Sequence, residues 1–156
     1  MIDGLVMRLS SLGQTLATAE SLTGGLLAAT IVDVPGSSKV FRGGLIVYAT
    51  ELKHTLAGVD ADLLAAQGPV SEVVAVELAR GARLRCGADW GVATTGVAGP
   101  DPQDAVPIGT VFVAVAGPAA NAVRELHLTG DRPTIRAATV TAALSLLAES
   151  LDASLT

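Results

Sequence analysis

The stretch over residues 15–31 changes its hydrophobic period halfway, and this change constrains the fold more than any other feature of the chain. Its first part, Thr15-Leu16-Ala17, is a short apolar segment of the kind that forms a buried strand. From Leu22 onward, leucine and isoleucine recur at helical spacing. A carboxylate, two hydroxyls and a glycine pair lie between the two parts. The pattern predicts a strand near 15–20 that turns into a helix ending near Val32.

The remainder of the chain repeats this alternation of strands and helices. We predict further strands near 41–48, 90–95, 109–115 and 122–128, and further helices near 3–12, 51–57, 60–66, 72–87 and after Pro133. Thr50 and Ser71 stand at positions typical of helix caps. A short Gly-Pro link joins the last two strands, which indicates a hairpin. We expect a single domain over residues 1–156 with an α/β fold, a three-layer α/β/α sandwich with a mixed, mostly parallel sheet.

Composition and charge exclude several classes of partner. Half of the 156 residues are hydrophobic but only 3% are aromatic, so alanine, valine and leucine must form the core. The net charge of -5 argues against nucleic acid, because phosphate contacts need clustered lysine and arginine. One cysteine, Cys86, and two separated histidines give no support for a metal site. With no membrane-length apolar run and no signal-peptide pattern, we expect a cytoplasmic protein without a membrane partner or cofactor.

The polar turn after the first strand offers a possible site of chemistry. The start of a helix leaves backbone N–H groups without partners, and glycines let a ligand approach them closely. Ser21 would then be a nucleophile beside an anion or oxyanion site formed by Thr23, Gly24 and Gly25. The alternative is that Ser21 or Thr23 only caps the helix, which is a common role for these residue types. The two roles do not exclude each other.

Three predicted strand ends carry polar or glycine-rich residues, at 20–25, 48–53 and 94–101. Ligands of open α/β sheets bind beyond the carboxyl ends of the strands, so we expect these segments to share one rim. Ser21 needs a base, and Lys53 in a desolvated pocket would have a pKa low enough to serve. The alternative for Lys53 is a solvated helix residue, and for Tyr48 it is simple packing. Arg132 and Arg136, at the start of the last helix, either bind a phosphate or form an ordinary charged first turn.

Taken together, these motifs resemble one family, the CinA C-terminal domain family. Its "TAES-x-TGG" signature is matched at 18–25, and its "G-x-x-x-Y-x-x-x-x-K" segment is matched at 44–53. Further similar segments lie, in the family's order and at matching distances, at 35–38, 68–72, 95–100 and 107–111. The resemblance covers residues 5–150 and is specific because so many motifs occur together. Three departures are Thr50 in place of an asparagine, Val106 in place of a lysine, and a short loop at 101–107.

The resemblance implies a nicotinamide-nucleotide amidase, which converts nicotinamide mononucleotide (NMN) and water to nicotinate mononucleotide and ammonia without a metal. It implies that Ser21 is the nucleophile, that Lys53 is its base or activating cation, and that Tyr48 is a polar partner. Positions implied to contact substrate are Ser38, Thr95, Gly96 and Arg136. In many members this domain follows a larger N-terminal domain, so we expect this chain to be the stand-alone form.

Two further expectations accompany this interpretation. The alanine- and valine-rich helix faces, together with the resemblance, suggest a homo-oligomer, although periodicity alone does not separate a core face from an interface. Light scattering that shows only monomer at micromolar concentration would contradict it. The alternative function is a nucleotide-binding or partner-binding module with little catalysis, which the three departures would allow.

Overall fold

The computed structural model describes residues 1–156 as a five-stranded sheet between two layers of helices. The elements in chain order are α1 (Ile2–Ser11), β1 (Leu16–Glu20), α2 (Leu26–Val32), β2 (Phe41–Ile46), α3 (Thr50–Thr55), α4 (Ala61–Gln67), α5 (Glu72–Cys86), β3 (Trp90–Gly96), β4 (Thr110–Ala116), β5 (Asn121–His127) and α6 (Arg132–Ser154). A single 3₁₀ turn, Ser37–Lys39, precedes β2. None of the helices combines the length and the hydrophobicity that a membrane span requires.

The strand order is β2-β1-β3-β4-β5, and it confirms the predicted α/β sandwich with a mixed sheet. β1 runs parallel to both β2 and β3, whereas β4 runs antiparallel to β3 and to β5. Four strands therefore point one way and only β4 opposes them, although just two of the four pairings are parallel. Because β1, β2 and β3 are parallel, their carboxyl ends lie at one edge of the sheet.

The two faces of the sheet are covered by two hydrophobic cores, one built from large aliphatic side chains and the other mainly from alanines. Leucines and valines of α1, α2 and α6 pack on β4 and on one face of β1 and β3. On the other face, alanines of α5 pack on alanines of β1, β3 and β4. A Cβ at Gly91 would lie only 2.0 Å from the carbonyl oxygen of Ala79, so α5 approaches β3 to backbone contact. This close approach explains how a chain with so few aromatic residues fills its interior.

Helix starts and ends agree with the sequence at some positions and differ at others. Ser71 caps α5 by accepting from the Val74 N–H, and α5 ends at left-handed Gly87, as predicted. The Thr50 prediction is wrong, because α3 begins at Thr50 itself and its N-cap position, Ala49, makes no side-chain cap bond. The helix expected directly after Ser21 begins only at Leu26. The intervening residues form a tight turn instead.

Candidate active site

A small cavity of about 110 Å³ opens where the carboxyl ends of β1, β2 and β3 meet. It is lined by Ser21, Leu22, Tyr48, Lys53, Pro69, Val70, Thr95, Gly96, Val97, Ala98, Gly99, Asp101, Gln103 and Arg132. All three predicted strand-end segments contribute to this lining, so the expectation of a shared rim is met. A larger cavity of about 420 Å³ lies beside Trp90, at the start of β3 and therefore at the opposite edge of the sheet.

Ser21 is held at the floor of this cavity by its backbone. Its N–H donates to the Thr94 carbonyl at 3.0 Å, and its own carbonyl accepts from the Gly24 N–H at 3.1 Å. Gly24 and Gly25 adopt positive φ angles of 56° and 106°, which side chains rarely tolerate, so the glycine pair makes the turn possible. Ser21 does not cap α2, because the N-cap is Gly25 and no side chain bonds there from that position. The helix-cap interpretation of Ser21 is therefore wrong.

Lys53 is buried beside Ser21, with 1% of its surface exposed. Its Nζ donates to Ser21 Oγ at 3.0 Å, to the Val47 carbonyl at 2.8 Å and to the Tyr48 carbonyl at 3.4 Å. Desolvation by burial lowers the pKa of this ammonium from 10.5 to about 8, against a smaller opposing effect of the Glu51 carboxylate. The solvated-lysine interpretation is therefore wrong. The neutral form of Lys53 is therefore accessible near physiological pH, and it can accept a proton from the serine hydroxyl.

The carboxylate of Glu20, a residue that the sequence analysis did not predict to be part of the site, lies at the N-terminal end of α2. This carboxylate accepts from the Leu27 N–H at 2.8 Å, the Ala28 N–H at 3.0 Å and the Gly25 N–H at 3.3 Å. The Thr23 hydroxyl donates to the same carboxylate at 2.7 Å. The anion expected at this helix start is thus the protein's own side chain. The available signal is a glutamate at the end of a strand that leads into a helix, since carboxylates are stabilised near a helix N-terminus.

This arrangement changes which N–H groups are free to bind an oxyanion. Of the predicted donors, Gly25 donates to Glu20 and Gly24 donates to the Ser21 carbonyl. Only the N–H groups of Leu22 and Thr23 in this turn make no hydrogen bond within the chain. The sequence did not point to Leu22, which directly follows Ser21, because its side chain is apolar and only its backbone N–H is available to a ligand.

Arg132 and Tyr48 form the outer rim of the cavity. Arg132 donates from Nη1 to the Gly99 carbonyl at 2.6 Å and from Nη2 to the Tyr48 hydroxyl at 2.9 Å. Tyr48 is 58% exposed, which excludes a core-packing role. Deeper in the cavity, the Thr95 hydroxyl donates to the Pro69 carbonyl at 2.6 Å. Thr95 can therefore act toward a ligand only as an acceptor.

Five residues expected to bind substrate or an oxyanion do not line the cavity: Thr23, Gly24, Gly25, Ser38 and Arg136. The Thr23 side chain is fully buried against Glu20 and Thr94. Arg136 lies one helical turn after Arg132 and donates to the carbonyls of Leu22 and Thr23, at 2.9 and 2.8 Å. The Arg136 side chain therefore stabilises the turn after Ser21 by binding the backbone carbonyls of that turn.

Ser38 belongs to the opposite side of the sheet. It is exposed in the 3₁₀ turn that precedes β2, whereas Ser21 follows β1. Because β1 and β2 are parallel, the residue before one strand and the residue after the other lie at opposite edges. The expected contribution of Ser38 to this cavity is therefore wrong within a single chain. No group of three or more His, Cys, Asp or Glu side chains is close enough to hold a metal ion.

Comparisons with known proteins identify the family of this chain. The CinA C-terminal domain matches residues 1–151. The CinA-like protein of Frankia casuarinae is 51% identical over 151 residues, which are 97% of this chain and 34% of that protein. The CinA-like protein of Geobacter sulfurreducens is 48% identical over 152 residues, 96% of this chain and 37% of that protein. The chain thus spans about a third of the length of these curated relatives.

Solved structures show the same fold at nearly full coverage. A competence-damaged protein (CinA) superfamily protein from Escherichia coli superposes with a TM-score of 0.90 at 35% identity, covering 94% of this chain and 86% of that one. A competence/damage inducible protein from Agrobacterium tumefaciens gives a TM-score of 0.88 at 35% identity, covering 95% and 94%. The strand order and the helix layers described above are therefore those of an established structural group.

Proposed function

Because the chain belongs to the CinA C-terminal domain family, we propose that it is an amidohydrolase that converts NMN and water to nicotinate mononucleotide and ammonia. The observation that carries this proposal is the contact between Lys53 Nζ and Ser21 Oγ at 3.0 Å, inside a buried cavity. A serine hydroxyl is a weak nucleophile, and a neutral amine at hydrogen-bond distance is the base it requires. This pairing favours an enzyme over a module that only binds nucleotides.

The reaction follows from the groups around Ser21. Neutral Lys53 takes the hydroxyl proton while Oγ attacks the carboxamide carbon, and the carbonyl oxygen becomes an oxyanion. The free N–H group of Leu22, which lines the cavity, is the donor we assign to that oxyanion. Lys53 then returns the proton to the departing nitrogen, so that the C–N bond breaks and ammonia leaves. Water hydrolyses the acyl-serine by the same proton path and regenerates Ser21.

The size of the cavity suggests which part of NMN lies inside it and which part lies at its rim. About 110 Å³ is small beside the roughly 300–1,000 Å³ of typical ligand pockets, so we place only the carboxamide and its ring inside. The ribose phosphate then lies outside, within reach of Arg132. Asp131 already caps α6 by accepting from the Thr134 N–H at 3.0 Å. We therefore assign the phosphate to the Arg132 guanidinium and not to the helix start.

Ammonia release from NMN by the purified protein tests the proposal directly. We expect stoichiometric formation of ammonia and nicotinate mononucleotide, with no change in rate after dialysis against a chelator. A folded protein that binds NMN without turnover would favour the alternative of a binding module. A rate lost on chelation and restored by a metal ion would contradict the metal-free mechanism.

The pH dependence of the rate should follow the ionisation of Lys53. Its pKa of about 8 lies below the ordinary value, and the reactive form is the neutral amine. We therefore expect kcat/KM to rise about tenfold per pH unit below the pKa and to reach a plateau above it. Initial rates between pH 6 and 10 would show this single ionisation. A rate that falls as the pH rises through this range would contradict the role of Lys53 as a base.

Replacing Arg132 should weaken recognition of the phosphate. We expect Arg132→Gln to lower kcat/KM for NMN by about 10- to 100-fold, since a hydrogen bond to a charged group contributes roughly 1.5–3 kcal/mol. Nicotinamide riboside, which lacks the phosphate, should lose much less. Arg124→Gln is a matched control because Arg124 pairs with Glu149 on the surface, away from the cavity. Equal losses for both substrates would place the Arg132 effect elsewhere than at the phosphate.

A further inference from the structure

The Glu20 carboxylate is the most completely coordinated polar group beside the nucleophile. It is 1% exposed, and its two oxygens accept from three backbone N–H groups and one hydroxyl. A buried carboxylate with this many donors is fixed in position, because moving any one of them leaves a buried polar group without a partner. Glu20 also directly precedes Ser21 in the chain, so whatever fixes Glu20 limits the positions that Ser21 can take.

The donors to Glu20 come from the Ser21 turn and from the first turn of α2. Gly25 ends the turn, while Leu27 and Ala28 belong to the first turn of α2. Thr23 lies at the centre of the turn, and its hydroxyl oxygen also lies 2.8 Å from the Thr94 hydroxyl on β3. The carboxylate therefore ties the middle and the end of the turn to the strand ends that flank the cavity.

We infer that Glu20 is a positioning residue whose carboxylate holds the Ser21 turn in the conformation that aims Ser21 Oγ at Lys53 and leaves the Leu22 and Thr23 N–H groups free. This inference rests on the proposed amidase reaction for its role in turnover. It assigns the helix start of α2 to an internal ligand, so that the substrate's negative charge is met by Arg132 at the rim and by the Leu22 N–H group inside the cavity. A helix cap alone would stabilise α2 without affecting the reactivity of Ser21.

Glu20→Gln tests the inference, because glutamine keeps the shape but points N–H groups at backbone N–H donors. At a temperature where the variant is fully folded, we expect kcat for NMN to fall at least tenfold while KM changes less than threefold. The labelling rate of Ser21 by a sulfonyl fluoride should fall in parallel, since that reaction needs the aimed hydroxyl but no NMN. Asp60→Asn is the matched control, because Asp60 caps the distant helix α4 through the Leu63 N–H.

A folded Glu20→Gln protein with kcat and labelling rate within twofold of the wild type would overturn the inference. If Glu20→Gln does not fold, Thr23→Val removes one of the four donors at constant shape, and a severalfold loss of labelling rate is expected there. An unchanged rate in Thr23→Val would likewise count against it. Wild-type protein that is labelled at Ser21 but releases no ammonia from NMN would refute the proposed substrate while the labelling comparison still decides the role of Glu20. Absence of Ser21 labelling in the wild type would overturn both.

Discussion

Ser21→Ala should lower NMN turnover by about 10⁴-fold or more while leaving the protein folded. The loss is large because the covalent step has no other nucleophile, and removal of a member of a catalytic unit costs losses of this order. The fold should tolerate the change because the Ser21 side chain makes no cap bond to α2 and accepts only from Lys53. Ammonia release together with the melting temperature would measure both effects.

Ser71→Ala provides the opposite pattern and serves as the control. Ser71 caps α5 through the Val74 N–H, so its replacement should cost about 1 kcal/mol of stability and leave turnover nearly unchanged. A folded Ser21→Ala protein that hydrolyses NMN at close to the wild-type rate would eliminate Ser21 as the nucleophile. A nicotinoyl adduct trapped on any other residue, located by mass spectrometry, would do so as well.

Lys53→Met should abolish turnover and at the same time stabilise the protein. The lowered pKa of Lys53, about 8 against 10.5, corresponds to about 3 kcal/mol of unfavourable burial of the charged form. Methionine fills a similar volume without charge but loses two good hydrogen bonds, to the Val47 carbonyl and to Ser21 Oγ, each worth roughly 1 kcal/mol. We therefore expect a net gain of about 1 kcal/mol at neutral pH, measured by denaturant unfolding.

The sign of the linkage gives a second check on the same residue. The unfolded chain binds more protons at Lys53 than the folded chain does between pH 8 and 10.5, so the free energy of unfolding should rise with pH across that window. In Lys53→Met this rise should be smaller by the contribution of Lys53. A Lys53→Met protein that is active, or that is less stable than the wild type at neutral pH, would contradict the assignment of Lys53 as a buried base.

Ser21 and Lys53 should also act as one unit. Lys53→Arg should fail like Lys53→Met, because a guanidinium does not lose its proton near neutral pH. The double variant Ser21→Ala, Lys53→Met should turn over NMN little more slowly than either single variant, because members of a catalytic unit are not additive. Losses that multiply in the double variant would show that the two side chains act independently.

Local sequence patterns were sufficient to predict most helices and strands and the residues closest to Ser21 in the cavity. The change of period around Ser21 predicted β1 and α2, and the strand ends correctly brought Ser21, Tyr48, Lys53, Thr95 and Gly96 to one cavity. This succeeded because parallel strands place their carboxyl ends together, so position along a strand is enough to predict the edge of the sheet. The same rule, applied to the 3₁₀ turn before β2, would have placed Ser38 at the opposite edge.

Only the tertiary structure decided which hydrogen-bonding groups of the site already have partners within the protein and which are available to a ligand. The sequence by itself determined that a hydroxyl, a carboxylate and a glycine pair stand between a strand and a helix. It did not determine that the Glu20 carboxylate binds the first N–H groups of α2 or that Lys53 is buried against Ser21. Nor did it determine that Arg136 donates to the Leu22 and Thr23 carbonyls. These are contacts between residues distant in sequence or set by the path of a tight turn. Packing determines which side chains are buried and which hydrogen bonds they make, and it thereby sets the pKa of Lys53. A local sequence pattern can therefore name candidate site residues, but their protonation and hydrogen-bond partners depend on the complete fold.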